Sequence, residues 1–167
     1  STIAAAPDLD SIQIAPSGYT TTLLDTDGKT IQTLVGKDAN RQYVTLDQIP
    51  VNLQNAFIAI EDERFYSHHG VDFQGILRAF ALGLANGGHF SQGASTLTQQ
   101  LLKNQVFEGG EEKTILGRFQ RKIQEQYLAI QLEKHYSKQQ ILEYYLNTIN
   151  LGQNTLGVQA ASKRYFN

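Results

Sequence analysis

Residues 61–72 read EDERFYSHHGVD: four carboxylates, two adjacent histidines, one arginine and two aromatics in twelve positions. Before this stretch, Leu53, Ala56, Phe57 and Ile60 recur at the spacing of one helical face. After it, Asp72 stands where an N-cap belongs, ahead of a helix carrying Phe73, Ile76, Leu77, Phe80 and Leu84 that stops at Asn86-Gly87-Gly88. The residues alone leave three readings open. The stretch is a polar helix end, a metal site using His68, His69 and Asp72, or a carboxylate held as general base beside a flexible loop. The histidine spacing matches no standard ligand pattern. A base would need a partner elsewhere to stabilise the leaving group.

Outward from this joint the chain continues as helix. Thr96-x-x-Gln99 fits a capping box for a helix through Leu101 and Val106. A long helix is expected from about Glu111 to Tyr136. Ser137-x-x-Gln140 offers a second box for a helix through Leu146, and a last short helix bears Val158, Ala161 and Tyr165. Toward the N-terminus, TTTLLDTDGKTIQTLVG at 20–36 places two β-prone runs around Asp27-Gly28, a hairpin signal. Tyr43-Val44-Thr45 offers one more short strand. Residues 1–17, small and polar with two prolines, read as a mobile lead-in. The expectation is a mainly α domain over 18–167 with a small N-terminal β-hairpin element, in which GGHFSQGAS at 87–95 is the mobile flap.

Bulk properties narrow the function classes. The 167 residues suffice for one domain with a real core. A net charge of −2 argues against a nucleic-acid partner, which needs a basic face. The absence of cysteine removes disulfides and thiolate–zinc chemistry. No apolar run approaches the ~18 residues of a membrane span. The chain also lacks methionine, which reads as a mature or excised piece.

The long helix carries a second polar constellation. Leu116, Phe119, Ile123, Tyr127 and Ile130 share one arc and are expected to be its buried stripe. Arg118, Arg121, Lys122, Glu125 and Ala129 share the opposite arc, with Glu125 three, four and seven residues from cations. This is either an exposed face laced with weak ion pairs or a basic cluster that accepts phosphate. Gly93 to Gln100, small residues followed by hydroxyls and amides at a helix start, is either a glycine loop with a good cap or a wall for sugar or phosphate. No Walker loop and no nucleophile elbow is present.

Taken together, these motifs resemble the peptidoglycan glycosyltransferase (transglycosylase) domain of class A penicillin-binding proteins and monofunctional cell-wall glycosyltransferases, glycosyltransferase family 51. Five motifs match in order from about Tyr19 onward. They are Glu61, Asp62, Phe65, His68, Gly70 and Asp72; then Gly93, Ser95, Thr96, Thr98, Gln99, Gln100, Lys103 and Asn104; then Arg121, Lys122 and Glu125, followed by Ala129, Leu132 and Glu133. The fourth comprises Lys138, Ile141, Leu142, Glu143, Tyr145, Leu146, Asn147 and Gly152, and the fifth Gly157, Ala160, Ala161, Tyr165 and Phe166. Ala94, Asn150, Leu156 and Asn167 depart from the family pattern without touching a charged catalytic position. Family members continue further, so the C-terminal part of a lobe is expected to be missing.

The resemblance implies a lysozyme-like, two-lobed helical domain around a cleft, one lobe leaning on the membrane. It implies lipid II and the growing lipid-linked glycan strand as substrates, joined with inversion and release of polyprenyl diphosphate. Glu61 is then the general base, whose basicity burial would raise. Glu125, kept ionised by its cations, works with Arg121 and Lys122 at the donor diphosphate, where a divalent metal such as Mg or Mn has a place at Glu125. Substrate contacts are implied for Asp62, Phe65, His68, Ser95, Thr96, Thr98, Gln99, Gln100, Lys103, Asn104, Arg118 and Asn147, with Asp62, Phe65, His68 and Asp72 also supporting the base. The implied setting is the extracytoplasmic face of a bacterial membrane, in a protein with an N-terminal anchor and room for a C-terminal transpeptidase domain. A lytic muramidase-like hydrolase and a non-catalytic lipid II-binding module stay open as alternatives.

Overall fold

Four helix starts each follow from one side chain. In a computed structural model that describes residues 2–17, 21–24, 26–34, 40–88, 93–107, 114–149, 151 and 155–166, the chain is mainly helical. α1 spans Val51–Glu61, α2 Phe73–Ala85, α3 Leu97–Gln105, α4 Ile115–His135, α5 Lys138–Thr148 and α6 Val158–Phe166. The Asp72 carboxylate caps α2 by accepting from the Gly75 N–H, and Thr114 caps α4 by accepting from Gly117. Thr96/Gln99 and Ser137/Gln140 form full capping boxes on α3 and α5, as their spacing foretells. Each such cap contributes about 1 kcal/mol.

The core forms around α3. Leu97, Leu101 and Leu102 are fully buried, and α3 packs against both α4 and α5. Leu128, Ala129 and Leu132 of α4 and Ile141, Leu142 and Leu146 of α5 belong to the same apolar cluster. Each fully buried leucine stabilises the fold by roughly 2 kcal/mol relative to exposure.

On α4 the expected stripe holds only in part: Ile130 packs against the core and Ile123 is half-buried, but the other three members face outward. Leu116 is 66% and Phe119 64% exposed, Tyr127 also faces outward, and the buried residues are Glu125, Leu128, Ala129 and Leu132. The apolar arc of the N-terminal half meets no core, while the arc holding Glu125 turns inward in the C-terminal half. Periodicity alone misreads part of this helix because a carboxylate occupies its buried arc, balanced there by Lys122.

The β structure is slight. β1 (Thr21–Leu24) and β2 (Thr30–Leu34) pair antiparallel, with Thr21 opposite Leu34 and a register shift between Leu23 and Leu24. β3 (Asn40–Arg41) pairs parallel with β4 (Thr155–Leu156). Tyr43–Thr45 does not form the extra strand. Instead the Asn147 side chain takes a strand partner's place, accepting from the Val44 N–H at 3.0 Å and donating to the Val44 carbonyl at 2.8 Å.

The lead-in is seated rather than free within its described residues. Ile14 is buried in the core, its carbonyl accepts from Gln105 Nε2 at 3.1 Å, and Gln124 Nε2 donates to the Thr2 carbonyl at 3.1 Å. The centre of the expected flap (89–92), the first turn expected for the long helix (111–113), and Asn150 and Gly152 lie outside the described residues.

Candidate active site

The opening stretch is held by a buried polar network. Asp62 ends α1 and turns inward, where Oδ2 accepts from the Leu97 N–H at 2.9 Å, placing a negative charge at the start of α3. The same carboxylate accepts from His68 Nε2 at 2.8 and 3.0 Å. His68 Nδ1 accepts from the Gly70 N–H at 3.1 Å, which makes Nε2 the donor toward Asp62. Thr96 Oγ1 donates to the Gly70 carbonyl at 2.6 Å. Gly70 has φ +92°, and a Cβ there would stand 2.4 Å from the Ala129 carbonyl oxygen. Only glycine lets the loop lie this close to α4.

Beneath the loop, Phe65 is 0% exposed and Lys138 Nζ lies 4.5 Å from its ring centroid. Lys138 also pairs with Glu133 at 2.8 Å, and Glu133 accepts from Thr98 Oγ1 at 2.6 Å. At the far end Arg64 and Asp72 pair at 2.6 Å. Burial opposes ionisation of Asp72, but hydrogen bonds from Arg64 and Gly75 outweigh it and hold the carboxyl below its ordinary value. Every turn of the stretch is thus tied to α2, α3, α4 or α5.

What this scaffold presents is Glu61, the last residue of α1 and exposed. It sits on the rim of a hollow of about 360 Å³. Ser95, Gln99, Gln100, Lys103 and Asn104 line that hollow from α3 and the segment before it, and Arg118, Arg121, Lys122 and Glu125 line it from α4. Glu125 is 4% exposed. Lys122 Nζ donates to Glu125 Oε1 at 2.7 Å and to Ser95 Oγ at 2.8 Å, bridging α4 to the start of α3. Gln100 Nε2 donates to Glu61 Oε2 at 3.2 Å. The buried Gln99 Nε2 finds no hydrogen-bond partner among the described residues. A second hollow of about 270 Å³, bordered by Arg64, Arg78 and Gly93–Thr96, shares Glu61 and Ser95 with the first. Glu61 therefore stands at the wall between two hollows.

Ten of the sixteen expected site residues gather in the 360 Å³ hollow: Glu61, Ser95, Gln99, Gln100, Lys103, Asn104, Arg118, Arg121, Lys122 and Glu125. Asp62 and Thr96 border only the neighbouring hollow and spend their polar atoms on the scaffold. His68 is buried with both ring nitrogens bonded, and Phe65, Thr98 and Asn147 are wholly buried. Phe65, Thr98 and Asn147 have no surface to offer a substrate, and His68 borders only a separate hollow with Arg64, His69 and Phe73. Burial at Glu61 is corrected too: the exposed carboxylate is Glu61 and the enclosed one is Glu125. Glu133 and Lys138 match the motifs yet carry no expected role, and the structure makes them the buried pair under the loop.

Among the described residues, protein side chains alone do not assemble a metal site. No three His, Asp or Glu side chains stand together to hold an ion among the described residues, and Glu125 already accepts from an ammonium. His68 and Asp72 are committed to Asp62, Gly70, Arg64 and Gly75, which consumes the two-histidine alternative. No step below uses a metal.

Comparisons with known proteins identify the family. A family model described as transglycosylase matches residues 27–167. Penicillin-binding protein 1A of Clostridium tetani is 44% identical over 98% of this chain and 20% of its own length. Penicillin-binding protein 1A of Clostridium acetobutylicum is 47% identical over 87% of this chain and 18% of its own length. Penicillin-binding protein 1A of Escherichia coli is 54% identical over 74% of this chain and 14% of its own length. The chain spans about a fifth of the length of the curated relatives it matches. With five motifs in order, both carboxylates on one hollow and a family model over most of its length, the chain belongs to the transglycosylase family.

Proposed function

We propose that this chain polymerises lipid II into linear glycan strands, acting as a peptidoglycan glycosyltransferase. The observation that carries the reading is the pairing of Glu61, on the rim between two hollows, with Glu125 inside a hollow lined by Lys103, Arg118, Arg121 and Lys122. A hydrolase expelling a neutral sugar has no need of four cations, whereas a diphosphate leaving group does. A binding-only module would not need the base at the wall.

The proposed step balances as follows. Glu61 takes the proton of the acceptor's 4-hydroxyl, and that oxygen bonds to the donor's anomeric carbon from the side opposite the diphosphate. The bond from that carbon to the diphosphate oxygen breaks, and its electron pair leaves with the polyprenyl diphosphate, giving inversion. The cationic wall stabilises the departing charge. Glu125 holds Lys122 toward Ser95 and the hollow, an electrostatic role rather than an acid's.

The proposal includes the family's two-lobed, lysozyme-like architecture and a membrane surface on the extracytoplasmic face. Phe73, Leu77, Phe80 and Leu84 on α2 and Ile115, Leu116 and Phe119 on α4 are exposed, which suits contact with lipid. No helix among the described residues is long and apolar enough to cross a membrane. The relatives' length accommodates an anchor and a transpeptidase domain, which we include for the whole protein. The test is incubation with labelled lipid II and Mg²⁺ or Mn²⁺. Polymer supports the reading; cleaved disaccharide or unchanged lipid II overturns it.

A further inference from the structure

Glu61 is exposed at a helix end, yet a base must point one way. Its one described side-chain partner is Gln100, whose Nε2 donates to Glu61 Oε2 at 3.2 Å. A carboxamide can present either its amino group or its oxygen, and only the amino group suits a carboxylate. What selects that orientation lies behind it. Tyr145 of α5 is 3% exposed, and its hydroxyl donates to Gln100 Oε1 at 3.3 Å. The ring is fixed by the core and by an edge-on contact with Phe57 of α1, centroids 6.3 Å apart. Flipping the Gln100 amide would set its oxygen against Glu61, losing that bond, and would leave the buried Tyr145 O–H without the acceptor it now has, its oxygen accepting from the amide instead.

We propose that Tyr145 is a positioning residue for the reaction, aiming the Glu61 carboxylate by fixing the orientation of the Gln100 amide between them. The row crosses three helices, α5 to α3 to α1. It engages Glu61 Oε2 and leaves Oε1 with no partner among the described residues, the oxygen we assign to the acceptor's proton. Burial, reinforced by the nearby charge of Glu61, pushes the Tyr145 phenol well up, so it acts as a donor throughout the working range of a carboxylate base. Tyr145 lines neither hollow. Its hydrogen-bonded route to Glu61 runs through Gln100.

This inference rests on the proposed polymerase activity, and its test separates the two. Steady-state polymerisation of labelled lipid II is measured for wild type, Tyr145→Phe, Gln100→Ala and the double variant, each checked for an unchanged thermal midpoint. Each single variant is expected to lose roughly tenfold in kcat with KM within about twofold, since misaiming a catalytic group costs rate. The double variant is expected to be no slower than Gln100→Ala, because the route from Tyr145 to Glu61 runs through that amide. Losses that multiply in the double variant, or a loss confined to KM, overturn the inference. Wild type that makes no polymer instead overturns the proposed function. The relay is then read from the Gln100 side-chain ¹H–¹⁵N signals. Glu61→Gln should shift them in the wild-type background and much less beside Tyr145→Phe, and equal shifts in both overturn it.

Discussion

Replacing Asp62 by alanine separates a scaffold role from a substrate role. The Asp62 carboxylate is buried and satisfies two donors, the Leu97 N–H at 2.9 Å and His68 Nε2 at 2.8 and 3.0 Å. Alanine leaves both donors buried and unpaired. Each costs about 1–3 kcal/mol, so the loss of stability is about 2–6 kcal/mol. His68 cannot escape by changing tautomer, because the Gly70 N–H already occupies Nδ1. Asparagine with its oxygen in the place of Oδ2 still accepts from both donors and loses only the charge and the 3.0 Å contact, so it should cost less, about 1–2 kcal/mol. The assay is urea unfolding followed by circular dichroism, comparing midpoints at constant slope. Against a typical domain stability of about 5–15 kcal/mol, alanine should shift the midpoint severely and asparagine by an intermediate amount. An alanine variant within about 0.5 kcal/mol of wild type, with precursor binding abolished, would refute the reasoning and make Asp62 a ligand.

Gly70→Ala should destabilise more than Gly28→Ala in thermal melts. Both glycines have positive φ and incur about 1–3 kcal/mol of backbone strain, but only at Gly70 does the new Cβ meet backbone, 2.4 Å from the Ala129 oxygen. Equal losses would mean the loop gives way freely. The lowered Asp72 carboxyl sets an acid limb of stability: the contribution is complete above the unfolded value near 3.8 and is lost as pH falls through the lower folded value. Asp72→Asn should therefore flatten the fall in stability between about pH 5 and 2, and an unchanged profile would contradict the Arg64–Asp72 assignment. Arg121→Ala should weaken binding of a diphosphate-bearing lipid analogue roughly tenfold while leaving the thermal midpoint near wild type. Unchanged affinity by calorimetry would remove Arg121 from the anion wall.

Much of this molecule is written locally in its sequence. The caps at Asp72, Thr96 and Ser137 are short-range hydrogen bonds within four residues, so spacing alone finds them. The two carboxylates were legible through motifs at 61–72 and 121–125, and the structure places both on one hollow. Other features depend on contacts between distant residues. Asn147 looks like a polar site residue, yet its partner is the backbone of Val44, 103 residues away. Tyr145 reaches Gln100 across 45 residues, and no periodicity signals that an apolar-looking core position steers an amide. Periodicity finds only part of the buried face of α4, because it ranks hydrophobicity and gives no weight to a lysine that lets a glutamate face inward. Phe65, His68 and Thr98 show the same limit. A motif marks residues that a fold needs without saying whether they touch substrate or hold what does.

The central claim is that Glu61 and the Glu125 cluster form the two halves of one glycosyl-transfer cleft. Its most direct test is gel analysis of products from labelled lipid II with wild type and Glu61→Gln side by side, with binding of a non-reacting lipid II analogue measured on both. The account predicts polymer from wild type, none from Glu61→Gln, and analogue affinity within about threefold between them, since the base contributes to the proton transfer rather than to the anion wall. Full-length polymer from Glu61→Gln would contradict it.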